Sequence, residues 1–188
     1  MSGRKHAILL FTKAPAPGVT KTRLTEERGG ILTPKEAAEF YQASLLDVAD
    51  IGFMALSELN EIATSKANGK GPDCYDFVVS CSPESEVKTL QALFNQYSPR
   101  PAPILFITDR GKTFDEHFDD AFQQLFSRGY HSVVSIGGDL PTMPVNHVVQ
   151  AFQWLEYFDL FSEVGGFVQA PCQECGVSLV GYTRNTPM

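Results

Sequence analysis

Four short apolar runs, each closed by a polar turn and followed by a helical stretch, constrain this chain more than any single residue does. They are Ala7-Ile8-Leu9-Leu10-Phe11, Asp76-Phe77-Val78-Val79-Ser80-Cys81, Ile104-Leu105-Phe106-Ile107 and Ser132-Val133-Val134-Ser135-Ile136. The first has the length and apolar continuity of a strand covered on both faces, as in a parallel sheet. Between the runs, Thr33-Pro34-Lys35-Glu36 reads as an N-cap, a proline at the first helical position and an acid in the first turn. Helical spacing continues from there through Ala37, Tyr41, Leu45 and Val48 and predicts a helix to about Leu59. Residues 64–73 read as a loop. Further helices are predicted after Ser82-Pro83-Glu84, over residues 113–128 and over residues 144–158, each with a stripe of leucine, valine or phenylalanine. Such alternation specifies an α/β fold, here a single-domain three-layer αβα sandwich with a mostly parallel sheet. One domain over residues 1–188 accommodates it. Residues 159–188 carry no clear pattern.

The turn after the first run is strongly cationic. In Phe11-Thr12-Lys13-Ala14-Pro15-Ala16-Pro17-Gly18-Val19-Thr20-Lys21-Thr22-Arg23-Leu24, the prolines and Gly18 forbid regular pairing, while Lys13, Lys21 and Arg23 alternate with short side chains. A loop of this kind can gather backbone N–H groups and cationic heads around one anion, and phosphate is the obvious guest. Arg23 would grip it bidentately and the lysines would serve as movable charges. The P-loop and GxGxxG patterns are both absent, and a solvated basic turn is the simpler alternative.

Ile136-Gly137-Gly138-Asp139-Leu140-Pro141 places a carboxylate on a tight turn after the fourth run, with glycines that admit a ligand to the backbone. Ligands of parallel sheets sit at the carboxyl ends of the strands, so this turn and the basic loop project from one edge. Magnesium suits one or two carboxylates supplemented by substrate phosphates and water, which makes Asp139 a candidate ligand. Its alternative role is to satisfy backbone donors before the helix at Pro144.

Composition limits the other functions. Fifteen Lys+Arg against 22 Asp+Glu give a net charge of −7, which argues against nonspecific nucleic-acid binding. No run of about 20 apolar residues occurs and the N-terminus leads into only a short apolar strand, so the expectation is a cytoplasmic protein without membrane span or signal peptide. Cys74, Cys81, Cys172 and Cys175 are too few and too uneven for a disulfide scaffold, and Cys172-Gln173-Glu174-Cys175 lacks the second pair that a structural zinc site needs. His6, His117, His131 and His147 read as surface or packing residues. Phe152, Trp154 and Phe158 read as core or interface, with base stacking as the alternative.

The basic loop and the Gly137-Gly138-Asp139 turn, in this order and with the intervening run Asp115-Glu116-His117-Phe118-Asp119-Asp120-Ala121-Phe122, resemble the uncharacterised, glycosyltransferase-like bacterial branch of the nucleotide-diphospho-sugar transferases, which have a GT-A or nucleotidyltransferase-like fold. The resemblance spans nearly the whole chain. It implies that Lys13, Lys21 and Arg23 bind the phosphates of a nucleotide, that Gly18 lets the loop close, and that Asp139 holds magnesium or manganese. Gly138 belongs to the same phosphate-binding set, and Lys21, Arg23 and Asp139 become the candidate catalytic residues. Where the family carries Gly-Pro-x-x-Asp-Gly-Gly-Tyr, this chain has Ala170-Pro171-Cys172-Gln173-Glu174-Cys175-Gly176-Val177. The acid there is Glu174, a second candidate metal ligand or base, and a cysteine replaces one glycine.

The expected function is therefore a metal-dependent nucleotidyl- or glycosyltransferase acting on a nucleoside triphosphate or nucleotide sugar and a small-molecule acceptor. Cations and metal would neutralise the leaving pyrophosphate or nucleoside diphosphate. A single aspartate in place of an Asp-x-Asp triplet tilts the reading toward nucleotidyl transfer. The competing classes are a nucleotide- or phosphate-binding protein of the same fold without turnover, and a thiol protein acting through Cys172 and Cys175.

Overall fold

The computed structural model describes residues 3–67, 71–96, 101–171 and 177–187. Strands β1 (Lys5–Phe11), β2 (Cys74–Ser80), β3 (Ile104–Ile107), β4 (Ser132–Gly137), β5 (Phe167–Pro171) and β6 (Val177–Thr183) join in one sheet of order β3-β2-β1-β4-β6-β5. The first four are parallel, and β6 runs antiparallel to both of its neighbours. Helices α1 (Pro34–Lys66), α2 (Glu84–Gln96), α3 (Phe114–Ser127) and α4 (Val145–Phe161) cover it. The expected αβα sandwich is thus present, with one difference. Strand and helix stop alternating after α4, where residues 159–188 supply β5 and β6.

Alternation along the strands divides the core between the two faces. Ile8, Leu10, Phe77, Val79, Val134 and Ile136 pack with α1, α2 and α4, while Ala7, Leu9, Val78 and Val133 pack with α3. Full burial of a leucine, isoleucine or phenylalanine contributes about 1.5–3 kcal/mol, and β1 has such residues on both sides, so the strand that launches the basic loop is firmly anchored in both layers of the core.

Helix α1 starts as its sequence predicts. The Thr33 hydroxyl accepts from the Glu36 N–H at 3.3 Å, the Glu36 carboxylate accepts from the Thr33 N–H at 2.8 Å, and Pro34 occupies the first turn. The helix runs past Leu59 to Lys66 because Ala63 extends its buried stripe, and because Asn60 fastens its last turns to the sheet. The Asn60 side chain donates to the Leu56 carbonyl and accepts from the Tyr75 N–H of β2. Among the described residues, no helix is long and apolar enough to cross a membrane.

The order of the parallel strands reverses between β1 and β4, which leaves a crevice at their carboxyl ends. Thr12 and Lys13 leave β1 on one side of it, and Gly138 and Asp139 leave β4 on the other.

Candidate functional site

A cleft of about 890 Å³ opens along this carboxyl edge. It takes its walls from the ends of β1 to β4, the start of β6, the first half of α1 and the N-terminal turns of α3. Its charged side chains are Lys13, Lys21 and Lys112 against Asp109 and Asp139, a cationic excess in a chain of net charge −7.

The β1/β4 half is built from the basic loop. Residues 16–20 close on themselves: the Val19 and Thr20 N–H groups donate to the Ala16 carbonyl, and buried Thr20 also exchanges side-chain contacts with Ala16. Gly18, at φ 74°, makes the left-handed bend. The next bend falls on Lys21, a non-glycine residue at φ 52°. An L-residue adopts this region only at a cost of about 1 kcal/mol, and here the bend delivers the ammonium group into the cleft. Lys21 Nζ lies 3.0 Å from Asp139 Oδ1 and 5.7 Å from the centre of the Tyr41 ring. Tyr41 is buried on α1, and its hydroxyl pairs with Thr12 Oγ1 at 2.7 Å. Burial pushes that phenol above its ordinary pKa, so it remains a neutral hydrogen-bonding wall.

Gly138 closes this half tightly. A Cβ there would stand 2.8 Å from Leu45, 3.2 Å from Thr12 Oγ1 and 3.3 Å from the Tyr41 hydroxyl. The Ser44 hydroxyl donates to the Gly138 carbonyl at 3.0 Å, which fixes the turn that presents Asp139.

Of the sequence-selected residues, the structure brings Lys13, Lys21, Gly138 and Asp139 together around the cleft. Gly18 shapes the loop from outside the lining. Arg23 lies on an exposed 3-10 turn, Thr22–Leu24, and does not line the cleft in this conformation. Glu174, Cys172 and Cys175 fall outside the described residues. Cys74 and Cys81 are free thiols, and burial, with Glu86 beside it, pushes Cys81 up to about 12, leaving it protonated and inert at neutral pH. Phe152 is buried, and neither Trp154 nor Phe158 reaches the cleft.

The other half of the cleft was not anticipated. Asp109, two residues beyond β3, is 4% exposed, and both of its oxygens are engaged. Oδ2 accepts from the Ser80 hydroxyl at 2.6 Å, and Oδ1 lies 2.7 Å from His117 Nδ1, whose second neighbour is Ser82 Oγ at 3.3 Å. His117 sits on the first turn of α3, capped by Thr113, whose hydroxyl accepts from the Glu116 N–H. Its ring lines the cleft beside Lys112, Phe114 and Phe118. The sequence reads His117 as a surface or packing residue; the structure places it on a buried carboxylate inside the candidate site. The available signal was positional, since Asp109 follows a predicted strand at its carboxyl end as Asp139 does.

A family model described as an uncharacterised protein conserved in bacteria, DUF2064, matches residues 69–188. No curated protein matches the sequence. Among solved structures, the chain is similar to a candidate nucleotide-diphospho-sugar transferase from Desulfovibrio desulfuricans G20, at 24% identity and TM-score 0.68, over 100% of this chain and 66% of that one. It also matches a cytidylyltransferase from Leptospira borgpetersenii serovar Hardjo-bovis at 13% identity and TM-score 0.48, over 96% of this chain and 61% of that one. The chain thus spans less than two thirds of the length of either protein. The first likeness establishes the fold alone: this chain shares its α/β architecture with that protein.

Proposed function

The chain belongs to the bacterial family DUF2064, and from its fold and cleft we propose that it is a transferase that binds the phosphates of a nucleoside triphosphate or nucleotide sugar in the crevice between β1 and β4 and passes part of that donor to a small-molecule acceptor. The observation that carries this reading is the meeting of Lys13, Lys21 and Asp139 at the switch point of a parallel sheet. Two ammonium groups on one rim favour a polyphosphate, each charge-assisted contact contributing about 1.5–3 kcal/mol. Gly138, where Leu45, Thr12 and Tyr41 leave no room for a side chain, keeps the turn that carries Asp139 close against this wall of the cleft.

Asp139 suits magnesium or manganese as one exposed carboxylate. Among the described residues no group of three His, Cys, Asp or Glu side chains could hold a metal by itself, so phosphate oxygens and water would complete the coordination. The ion would supply positive charge to the leaving phosphates. Asp109 does not compete for it, because Ser80 and His117 already occupy both of its oxygens. Lys21 must release Asp139 when the donor arrives, and its ammonium group then moves from carboxylate to phosphate. Arg23 joins the phosphate set only if its 3-10 turn swings inward. One carboxylate on the Asp139 turn, where metal-dependent glycosyl transfer would use two neighbouring ones, favours nucleotidyl transfer.

The test is a thermal-shift panel of the four ribonucleoside triphosphates and common nucleotide sugars, each with and without magnesium or manganese. Stabilisation by one base class that increases with metal is the expected result. Donor binding without pyrophosphate or nucleoside diphosphate release in any acceptor mixture would identify a binding protein, and no stabilisation by any donor would refute the assignment.

A further inference from the structure

The Asp109–His117 pair has no part in donor binding as described, yet it has the form of an activated base. Resting on the transferase reading, we infer that His117 Nε2 is the general base of this cleft and that the acceptor is therefore a hydroxyl compound of the sugar or polyol class and not a phosphate.

The tautomer follows from the contacts. Asp109 is buried, and its Oδ1 stands 2.7 Å from His117 Nδ1. A carboxylate oxygen can only accept, so Nδ1 carries a proton, and in the neutral ring the lone pair is on Nε2. No described residue hydrogen bonds to Nε2, and the ring lines the cleft. A buried carboxylate that holds one imidazole nitrogen and leaves the other free is the arrangement that orients a base and stabilises the imidazolium it becomes. Ser82 is not the nucleophile of this base. Its hydroxyl neighbours Nδ1, the nitrogen that already carries the proton.

The need for a base identifies the acceptor. A phosphate monoester is largely a dianion at neutral pH, with a second pKa near 6, and attacks without losing a proton. A neutral hydroxyl must shed its proton as the new bond forms. In the proposed step the acceptor O–H proton passes to Nε2, and the oxygen lone pair forms the bond to the α-phosphorus. The bond from that phosphorus to the pyrophosphate oxygen breaks, with its electron pair leaving on pyrophosphate. The imidazolium, held by Asp109, then returns its proton to solvent. Phe114, 68% exposed beside His117 and in edge contact with Phe11, offers an apolar platform for the carbon face of such an acceptor.

The bland alternative is that His117 only satisfies Asp109. The experiment compares wild type, His117→Gln and His117→Ala, using the nucleoside triphosphate that stabilises the wild type. Pyrophosphate release is followed with glucose, mannose or glycerol as acceptor and, separately, with glucose 1-phosphate. Wild type is expected to use a hydroxyl acceptor. His117→Gln should lose about 100-fold or more in kcat while its donor stabilisation stays within a few-fold, because general-base catalysis contributes 10²- to 10⁴-fold. The acid limb of its pH–rate profile should disappear, and added imidazole should restore part of the activity of His117→Ala. Turnover of glucose 1-phosphate that is indifferent to His117→Gln would overturn the inference and leave the transferase standing. So would a His117→Ala defect that imidazole does not touch while the variant remains folded and binds donor. Failure of every nucleotide to stabilise the wild type would instead refute the underlying reading.

Discussion

Substituting Asp139 by Asn separates the two roles assigned to this carboxylate, because they respond to metal in opposite directions. The change is isosteric and removes a partly exposed pair: the Asp139 side chain is 67% accessible, that of Lys21 23%, and they lie 3.0 Å apart. Exposed pairs of this kind contribute about 0.2–1 kcal/mol, and 1 kcal/mol corresponds to roughly 2–4 °C in Tm for a domain of this size, so the variant should melt within about 4 °C of wild type. Without metal, the wild-type carboxylate both occupies Lys21 and repels the donor phosphates. Two like charges about 5 Å apart interact by roughly 1–3 kcal/mol between the dielectric of water and that of a protein surface. Removing that repulsion should tighten metal-free binding by about fivefold or more. With magnesium the order inverts. In wild type Asp139 would help to hold an ion that supplies positive charge to the donor phosphates, whereas the variant would gain little. Titration calorimetry with the selected nucleoside triphosphate, in chelator and in millimolar magnesium, reads all four affinities. A variant that keeps the metal-dependent increment, or that binds more weakly than wild type in chelator, would refute the reasoning.

Gly138→Ala should cost about 1–3 kcal/mol, since its Cβ would crowd Leu45, Thr12 and Tyr41 at 2.8–3.3 Å; urea denaturation checks the stability and calorimetry the accompanying loss of donor affinity. Lys21→Met should weaken donor binding by tenfold or more and Arg23→Ala by much less, because only Lys21 lines the cleft; an equal effect would show that the 3-10 turn closes on the donor. Stability should fall on acidification through His6, whose Nδ1 lies 2.7 Å from Ser132 Oγ. Burial, assisted by His131 and Arg4 and opposed by Asp73, holds its pKa at about 4. Between pH 6.5 and pH 4 the unfolded chain binds a proton that the folded chain refuses, so stability declines by roughly 2–3 kcal/mol across that window and is recovered above it. Urea midpoints at neutral pH and near pH 4 should show this decline in wild type and a flatter profile in His6→Gln.

The first four strands and all four helices were legible because their signals are local. Apolar runs of four to six residues ended in turns, and Thr33-Pro34-Lys35-Glu36 carried a helix start whose capping box the structure contains. The end of α1 was not legible, since what extends it beyond Leu59 is the bond between Asn60 and the β2 backbone, a contact 15 residues away in sequence. Strands β5 and β6 were missed for a related reason. Phe167–Pro171 is an edge strand whose burial only alternates between exposed and intermediate, and its pairing with β6 rests on backbone bonds rather than on an apolar run.

The site divided along the same line. Lys21 and Asp139 could be paired from sequence because each sits on a conspicuous loop, and the parallel topology sends loops after strands to one edge. That rule, applied to the third strand, would also have selected Asp109. Nothing local in Thr108-Asp109-Arg110-Gly111-Lys112 marks Asp109 as buried. Its burial comes from the neighbouring parallel strand, whose last residue, Ser80, donates to it, and its partner comes from the helix that follows. A carboxylate placed in this way would be costly to bury unless its oxygens were paired, and the chain meets that need with one hydroxyl and one imidazole. A second hydroxyl would have met it equally well. The imidazole adds what a hydroxyl lacks, a second ring nitrogen on the cleft side of the pair. A buried acid that a neutral group could have satisfied is instead paired with an imidazole that faces the cleft, and on the proposed reading this arrangement assigns the β3/α3 half of the cleft to the acceptor and the half with Lys13 and Lys21 to the donor.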